Sequence, residues 1–238
     1  NNKTIITREK FLDAFEKNTI GLPSNTETRN DELLELVAYH EAGHALIATL
    51  FSSFYDVRKV TITANNEGAG GYTLFTPKER YGSYPTKKFL LSRLLVSMGG
   101  RAAEIFLYNK KNIDINENYD DDKLFIGMSD LDITTGASND LKQADNIARS
   151  LVQLFGYNNS LLVQDNSNQA FLGRSMELSE FAKQEIDLSV KELLDYANNM
   201  ALNIVQNNEE AIDLIAKKLL RDITIDKEFL ETLDISYP

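Results

Sequence analysis

The chain contains two histidines, and they stand four residues apart in His40-Glu41-Ala42-Gly43-His44. On a helix that separation stacks both side chains on one face, so both imidazoles reach a single metal ion. Glu41 lies one residue along, close enough to contact a water on that ion without ligating it. Two neutral imidazoles that hold zinc, with a carboxylate to take the proton from its water, make a hydrolytic centre. The competing reading is two surface histidines with a chance glutamate, a rare coincidence in a chain this poor in histidine. Gly43 adds weight, because glycine inside a helix costs about 1 kcal/mol against alanine and marks a close approach of neighbouring backbone.

A catalytic zinc needs a third protein ligand and an open position. The chain has no cysteine, so no thiolate supplies it. A third histidine six residues after His44 is ruled out, since Leu50 stands there and Ile47 replaces the usual glycine. A glutamate about 20 residues downstream on a following helix also fails, because that region reads as β and Glu67 falls in its turn. The remaining candidates are Glu104, Asp130, Asp132 and Asp140. Asp130 and Asp132 sit in an acidic stretch where carboxylates ordinarily serve solvation. Glu104 lies in an apolar helix, where a lone acid needs a partner, and reads as a residue that supports a ligand. Asp140 falls in the first turn of a helix, where an acid also serves simply to stabilise the helix dipole. Spacing alone leaves these alternatives open.

The surrounding pattern predicts a mainly α protein with one small β-sheet. An amphipathic helix is expected over Thr4–Asn18, then a polar break at Gly21, Pro23, Ser24 and Asn25 that marks a boundary. A second helix runs from Asp31 to about Phe54 and carries the histidines. Strands are expected at Val57–Thr63 and Gly71–Thr76, joined by a turn over Asn65–Gly71. Pro77–Tyr84 reads as turn. Thr86–Tyr108 reads as an apolar helix interrupted at Gly99-Gly100. The polar, acidic stretch Asn109–Asp132 reads as a disordered insert. A helix capped by Ser138 follows over Asn139–Phe155, then irregular chain over Gly156–Arg174. Helices at Ser179–Asn207 and Glu209–Arg221 and a turn near Asp226–Leu233 close the chain. The net charge of −11 argues against nucleic acid as a partner. No apolar run approaches the roughly 18 residues of a membrane span, so this piece is expected to be soluble, with any anchor elsewhere.

Three spaced motifs carry a resemblance: Val37-Ala38-Tyr39-His40-Glu41-Ala42-Gly43-His44-Ala45, Gly99-Gly100-Arg101-Ala102-Ala103-Glu104, and Thr135-Gly136-Ala137-Ser138-Asn139-Asp140-Leu141. With Glu185-Ile186-Asp187 and the leucines near the end, they resemble the FtsH family of membrane-anchored, ATP-dependent zinc proteases from Asp31 onward. The resemblance implies a zincin-like protease domain over residues 31–238 with a C-terminal helical bundle. It implies that residues 1–30 are the last helix of a preceding ATPase module and a linker. The third zinc ligand would be the aspartate of the Ser-Asn-Asp motif, here Asp140. Glu104 would stand near the metal, while Ile105 replaces the family's second glutamate. The family also implies a homo-hexamer that degrades unfolded or membrane polypeptides, with ATP used by the full-length protein. No Gly-x-x-x-x-Gly-Lys-Ser/Thr loop occurs here, so ATP hydrolysis by that route is absent from this chain. Abundant asparagine suggests an AT-rich genome, and with it a mitochondrial, plastid or apicoplast membrane, the bacterial inner membrane being the other home.

On this reading His40, His44 and Asp140 hold Zn²⁺ and Glu41 is the general base. Gly70, Gly71, Tyr72 and Thr73 lie where an extended substrate could add as a strand; the competing reading of that segment is an ordinary structural hairpin. For an oxyanion donor the sequence offers Tyr72 and Tyr81 and assigns neither. Two rivals stand beside it: a zinc peptidase of another class with a glutamate as third ligand, and a non-catalytic ring-assembly domain. The intact Glu41 speaks against the second, since a purely structural metal site needs no base.

Overall fold

The computed structural model describes residues 22–24, 28–66, 68–111, 135–153, 155 and 180–238. The helix expected over 4–18, residues 112–132 of the insert expected over 109–132 and the irregular stretch 156–174 lie outside these residues, while Asn109 and Lys110, counted in that insert, are instead the last turn of the helix Lys87–Lys110.

Helix α1 (Asp31–Leu50) begins where the Asn30 side chain accepts from the Leu33 amide, with Asp31 and Glu32 in its first turn. Both devices favour a helix start, the first by satisfying an orphan N–H and the second through the dipole. From Glu41 to Ala48 every residue is buried, so the histidine-bearing turns run through the centre of the molecule. A helix buried on all sides needs small residues where neighbours cross it, and Ala38, Ala42, Gly43, Ala45 and Ala48 supply them.

The strands follow as expected, displaced by a residue or two. In β1 (Tyr55–Thr61) and β2 (Tyr72–Pro77) the pairing is antiparallel, with Val60 opposite Thr73 and Thr61 opposite Tyr72. The register shifts between Val57 and Lys59, which leaves Arg58 as a bulge. A third strand, β3 (Thr224–Asp226), pairs with the other edge of β1, giving the order β2-β1-β3. The chain reverses into β3 through Ile223 at φ 64°, a left-handed conformation unusual for a β-branched residue. Val60 and Ile225, paired across β1 and β3, are buried toward the helices.

After β2, residues Glu79–Ser83 form the short helix α2, where the sequence reads as turn. Tyr81 drives this: its ring stacks on Phe89 at 5.5 Å and meets the edge of Phe54 at 4.9 Å. Helix α3 (Lys87–Lys110) is capped by Thr86 and runs unbroken through Gly99-Gly100. The two glycines are there for their neighbours. A Cβ on Gly43 would stand 2.1 Å from the Gly99 carbonyl oxygen, and one on Gly99 would stand 2.7 Å from the Gly43 oxygen. The backbones of α1 and α3 therefore touch where they cross, a geometry open only to glycine.

Helices α4 (Ser138–Gln153), α5 (Glu180–Asn207), α6 (Glu209–Asp222) and α7 (Lys227–Leu230) complete the described fold. Ser138 is itself the first residue of α4. Helix α3 packs against α1 on one side and against α4 and α5 on the other, while α6 covers a further face of α1. Buried Asn208 joins α5 to the tail: its amide nitrogen donates to the Ile204 and Ser236 carbonyls, and its oxygen accepts from the Ser236 amide. No helix among the described residues is long and apolar enough to cross a membrane.

Candidate metal centre

Three elements meet at the histidines. Helix α1 presents His40 and His44 on one face, α3 runs beneath them, and the first turn of α4 brings Asp140 up from the side. The two Nε2 atoms lie 3.1 Å apart, and Asp140 Oδ2 stands 3.3 Å from each. Among the described residues this is the cluster whose donor atoms converge closely enough to hold a metal ion. Bonds of about 2.0–2.1 Å to a tetrahedral zinc imply ligand atoms about 3.3–3.4 Å apart, so the triangle matches one face of that tetrahedron and leaves the fourth position open.

Each ring is oriented from behind. His40 Nδ1 pairs with Glu104 Oε1 at 2.8 Å, and His44 Nδ1 donates to the Val96 carbonyl at 2.7 Å. Both partners face the Nδ1 side, which turns both Nε2 atoms toward Asp140 and raises ligand basicity. Glu104 is almost fully buried, and its second oxygen accepts from Arg101 at 2.9 Å. It meets His40 on the Nδ1 side, whereas Asp140 meets the same ring at Nε2. Gly100 completes the cradle: a Cβ there would stand 2.5 Å from His40 Cε1 and 2.6 Å from each Nε2.

The electrostatics fit a cation. Burial works toward the neutral His40 ring, but the Asp140 and Glu104 carboxylates outweigh it and push His40 up to about 10. Burial also opposes charge on Asp140, yet the two imidazoles hold its carboxyl well below the ordinary range. An anionic oxygen set against two imidazoles is a donor set suited to zinc. Burial pushes the Glu41 carboxyl up, against the pull of the nearby imidazoles and a hydrogen bond from Thr73. Glu41 stays outside the ligand triangle; its Oε2 accepts from Thr73 Oγ1 at 2.8 Å.

The centre lies in a cleft of about 550 Å³. His40, Glu41, His44 and Asp140 form its floor, and Gly70, Gly71, Tyr72 and Thr73 form one wall. Leu33, Leu36, Val37 and Phe75 give the cleft an apolar side. Among the described residues β2 is paired on one side only, and its residues Tyr72, Thr73 and Phe75 line the cleft. Tyr81 is held in the aromatic cluster and does not line the cleft. Asp130, Asp132 and Glu67 lie outside the described residues. Sequence reasoning missed Arg29, whose guanidinium donates to the Gly70 carbonyl at 2.6 Å and the Ile62 carbonyl at 2.8 Å. It ties the approach to β2 against the start of α1, a long-range contact with no local signature.

Residues 27–117 and 121–233 match peptidase family M41. The chain belongs to peptidase family M41. It is 35% identical over 239 residues to a protein of Trieres chinensis named ATP-dependent zinc metalloprotease FtsH, covering 97% of this chain and 34% of that protein. Proteins of the same name from Streptococcus pneumoniae and Mycoplasma mobile are 35% and 32% identical, covering 98% and 95% of this chain. They are covered over only 32% and 30% of their own length. The M41 chain thus spans about a third of the length of the relatives it matches. The mainly helical fold with its three-stranded antiparallel sheet agrees with the FtsH-type architecture expected from the motifs.

Proposed function

We propose that this M41 chain is a zinc-dependent endopeptidase unit in which His40, His44 and Asp140 hold the ion and Glu41 is the general base. The observation that carries this reading is the triangle of donor atoms with a buried, non-ligating carboxylate beside it on the floor of an open cleft. A bound zinc ion supplies a Lewis acid for the scissile carbonyl and makes water nucleophilic near neutral pH. Glu41 takes the proton of the attacking water and delivers it to the leaving amine. Glu104 and the Val96 carbonyl keep the imidazoles aimed. The outer edge of β2 binds an extended polypeptide as an added strand, which brings a peptide bond over Glu41.

Strand addition needs a substrate whose backbone is free, so the substrates are unfolded polypeptides. The names of the relatives support an ATP-dependent whole protein, with residues 1–30 as the end of its ATPase module and 31–238 as its protease domain. A hexameric ring anchored in an organellar or bacterial membrane is the corresponding proposal for the whole. The test is cleavage of a flexible peptide or casein-like substrate with and without chelator. Glu41→Gln is expected to retain about one zinc per chain and to lose cleavage. Cleavage that survives complete metal removal, or a Glu41→Gln chain with unchanged turnover, overturns the reading.

A further inference from the structure

Thr73 sits near the start of β2 with its side chain turned toward α1. Its hydroxyl lies 2.8 Å from Glu41 Oε2 and 3.2 Å from the Glu41 carbonyl oxygen. The hydroxyl has one proton, and the shorter contact to the charged acceptor takes the larger share of it. This is the hydrogen bond that the Glu41 carboxylate makes among the described residues. On its other flank the side chain is bounded by backbone: a Cβ on Gly71 would stand 2.9 Å from Glu41 Cγ and 3.1 Å from Oε1.

The terminal torsion of a glutamate is broad and carries little preference of its own. A base that must meet a water and a scissile bond together loses rate when it turns away. One donor on one oxygen removes that freedom, and Gly71 gives the carboxylate room in the bound orientation. We propose that Thr73 is a positioning residue for Glu41: its hydroxyl pins Oε2, so that Oε1 is the oxygen that receives the proton. The same strand would then bind substrate along its outer edge and aim the base with its inward side chain. A substrate in register on β2 is therefore in register with Glu41. This inference rests on the endopeptidase reading above.

The experiment compares Thr73→Val, which keeps shape and removes the hydroxyl, with Thr73→Ser, which keeps the hydroxyl and removes the methyl. Zinc content, kcat and KM are measured on a flexible peptide, and crystal structures of the wild-type and Thr73→Val chains are solved. Thr73→Val is expected to keep its zinc and its KM while kcat falls about 10- to 100-fold. Thr73→Ser is expected to recover most of that kcat. In the Thr73→Val crystal the Glu41 carboxylate is expected to leave its single orientation. Wild-type kcat in Thr73→Val overturns the proposal, as does equal impairment of the serine variant, which would mark a packing role for the methyl. Should the wild-type chain cleave nothing, the endopeptidase reading fails by itself, and an unmoved Glu41 carboxylate in the Thr73→Val crystal still overturns the positioning role.

Discussion

Gly100→Ala separates the fold from the metal centre. The added methyl would stand 2.5 Å from His40 Cε1 and 2.6 Å from both Nε2 atoms. Ordinary carbon contact lies near about 3.5 Å, so each ring must retreat by about 1 Å. The rings have little room to do so, being held by Glu104 at 2.8 Å and by the Val96 carbonyl at 2.7 Å. Metal–ligand distances tolerate about 0.2 Å, several times less than the required shift. The metal-free fold suffers far less. Alanine regains about 1 kcal/mol of helix propensity, against about 1–3 kcal/mol for overpacking, a net loss of about 0–2 kcal/mol. In a domain of this size that lowers Tm by no more than about 8 °C. Free zinc at a thousandfold over Kd contributes about 4 kcal/mol to the wild type, or about 8–16 °C in Tm. The assay is thermal unfolding with zinc and with chelator, beside metal analysis of the purified chain. The wild type is expected to show the zinc-dependent rise and the variant none. A folded Gly100→Ala chain that binds one zinc per chain with wild-type affinity refutes the reasoning.

Gly43→Ala is expected to damage the fold itself, because its methyl would stand 2.1 Å from the Gly99 oxygen and 2.7 Å from Ala103 Cβ. A clash this close with backbone puts overpacking at the top of its usual range, about 3 kcal/mol, and after the propensity gain of about 1 kcal/mol a net loss of about 2 kcal/mol, or about 4–8 °C in Tm, should appear with or without metal; a rise in Tm, as helix propensity alone predicts, contradicts the close crossing. Asp213 ties α6 to α1 and α3: burial opposes its charge, but Lys110 and the Tyr39 hydroxyl at 2.7 Å override it and hold the carboxyl below the ordinary range. A carboxyl depressed in the fold contributes stability that is fully present above its unfolded pKa of about 4 and is lost as pH falls through the folded value. The urea midpoint of the wild type should therefore exceed that of Asp213→Asn at about pH 6, and the gap should narrow as pH falls below about 4; a gap independent of pH counts against the pairing.

What was legible in the sequence follows the range of each interaction. The histidine pair is set by helical period, which is local, and the apolar surroundings of Glu104 already demanded a partner for it. The position of Asp140 is different: spacing left it as one of four candidates, since its approach to α1 depends on how α4 docks, and family likeness was what chose it among them. Gly99-Gly100 read as a break because propensity counts the cost of glycine and not the backbone that needs the space. Strand β3 was missed because three residues give no alternation to detect. Thr73 was legible as part of a strand, yet its hydroxyl contact with Glu41 joins residues distant in sequence and leaves no pattern in either segment.

Asp140 reaches the histidines from across about 100 residues of chain, a separation at which a covalent bridge removes on the order of 5 kcal/mol of unfolded-state entropy. Apart from that aspartate, α4 is held by the buried face of Ala144, Ala148, Leu151 and Val152, by Ile147 packed against the core and by the Arg149–Asp187 ion pair at 3.0 Å. An ion shared between α1 and α4 would therefore act as a cross-link, in a stretch of 238 residues with no cysteine to form one. Chelation would then do more than silence chemistry: it would release the leading turn of α4 and one border of the cleft with it, so that loss of metal and loss of a defined substrate channel become the same event.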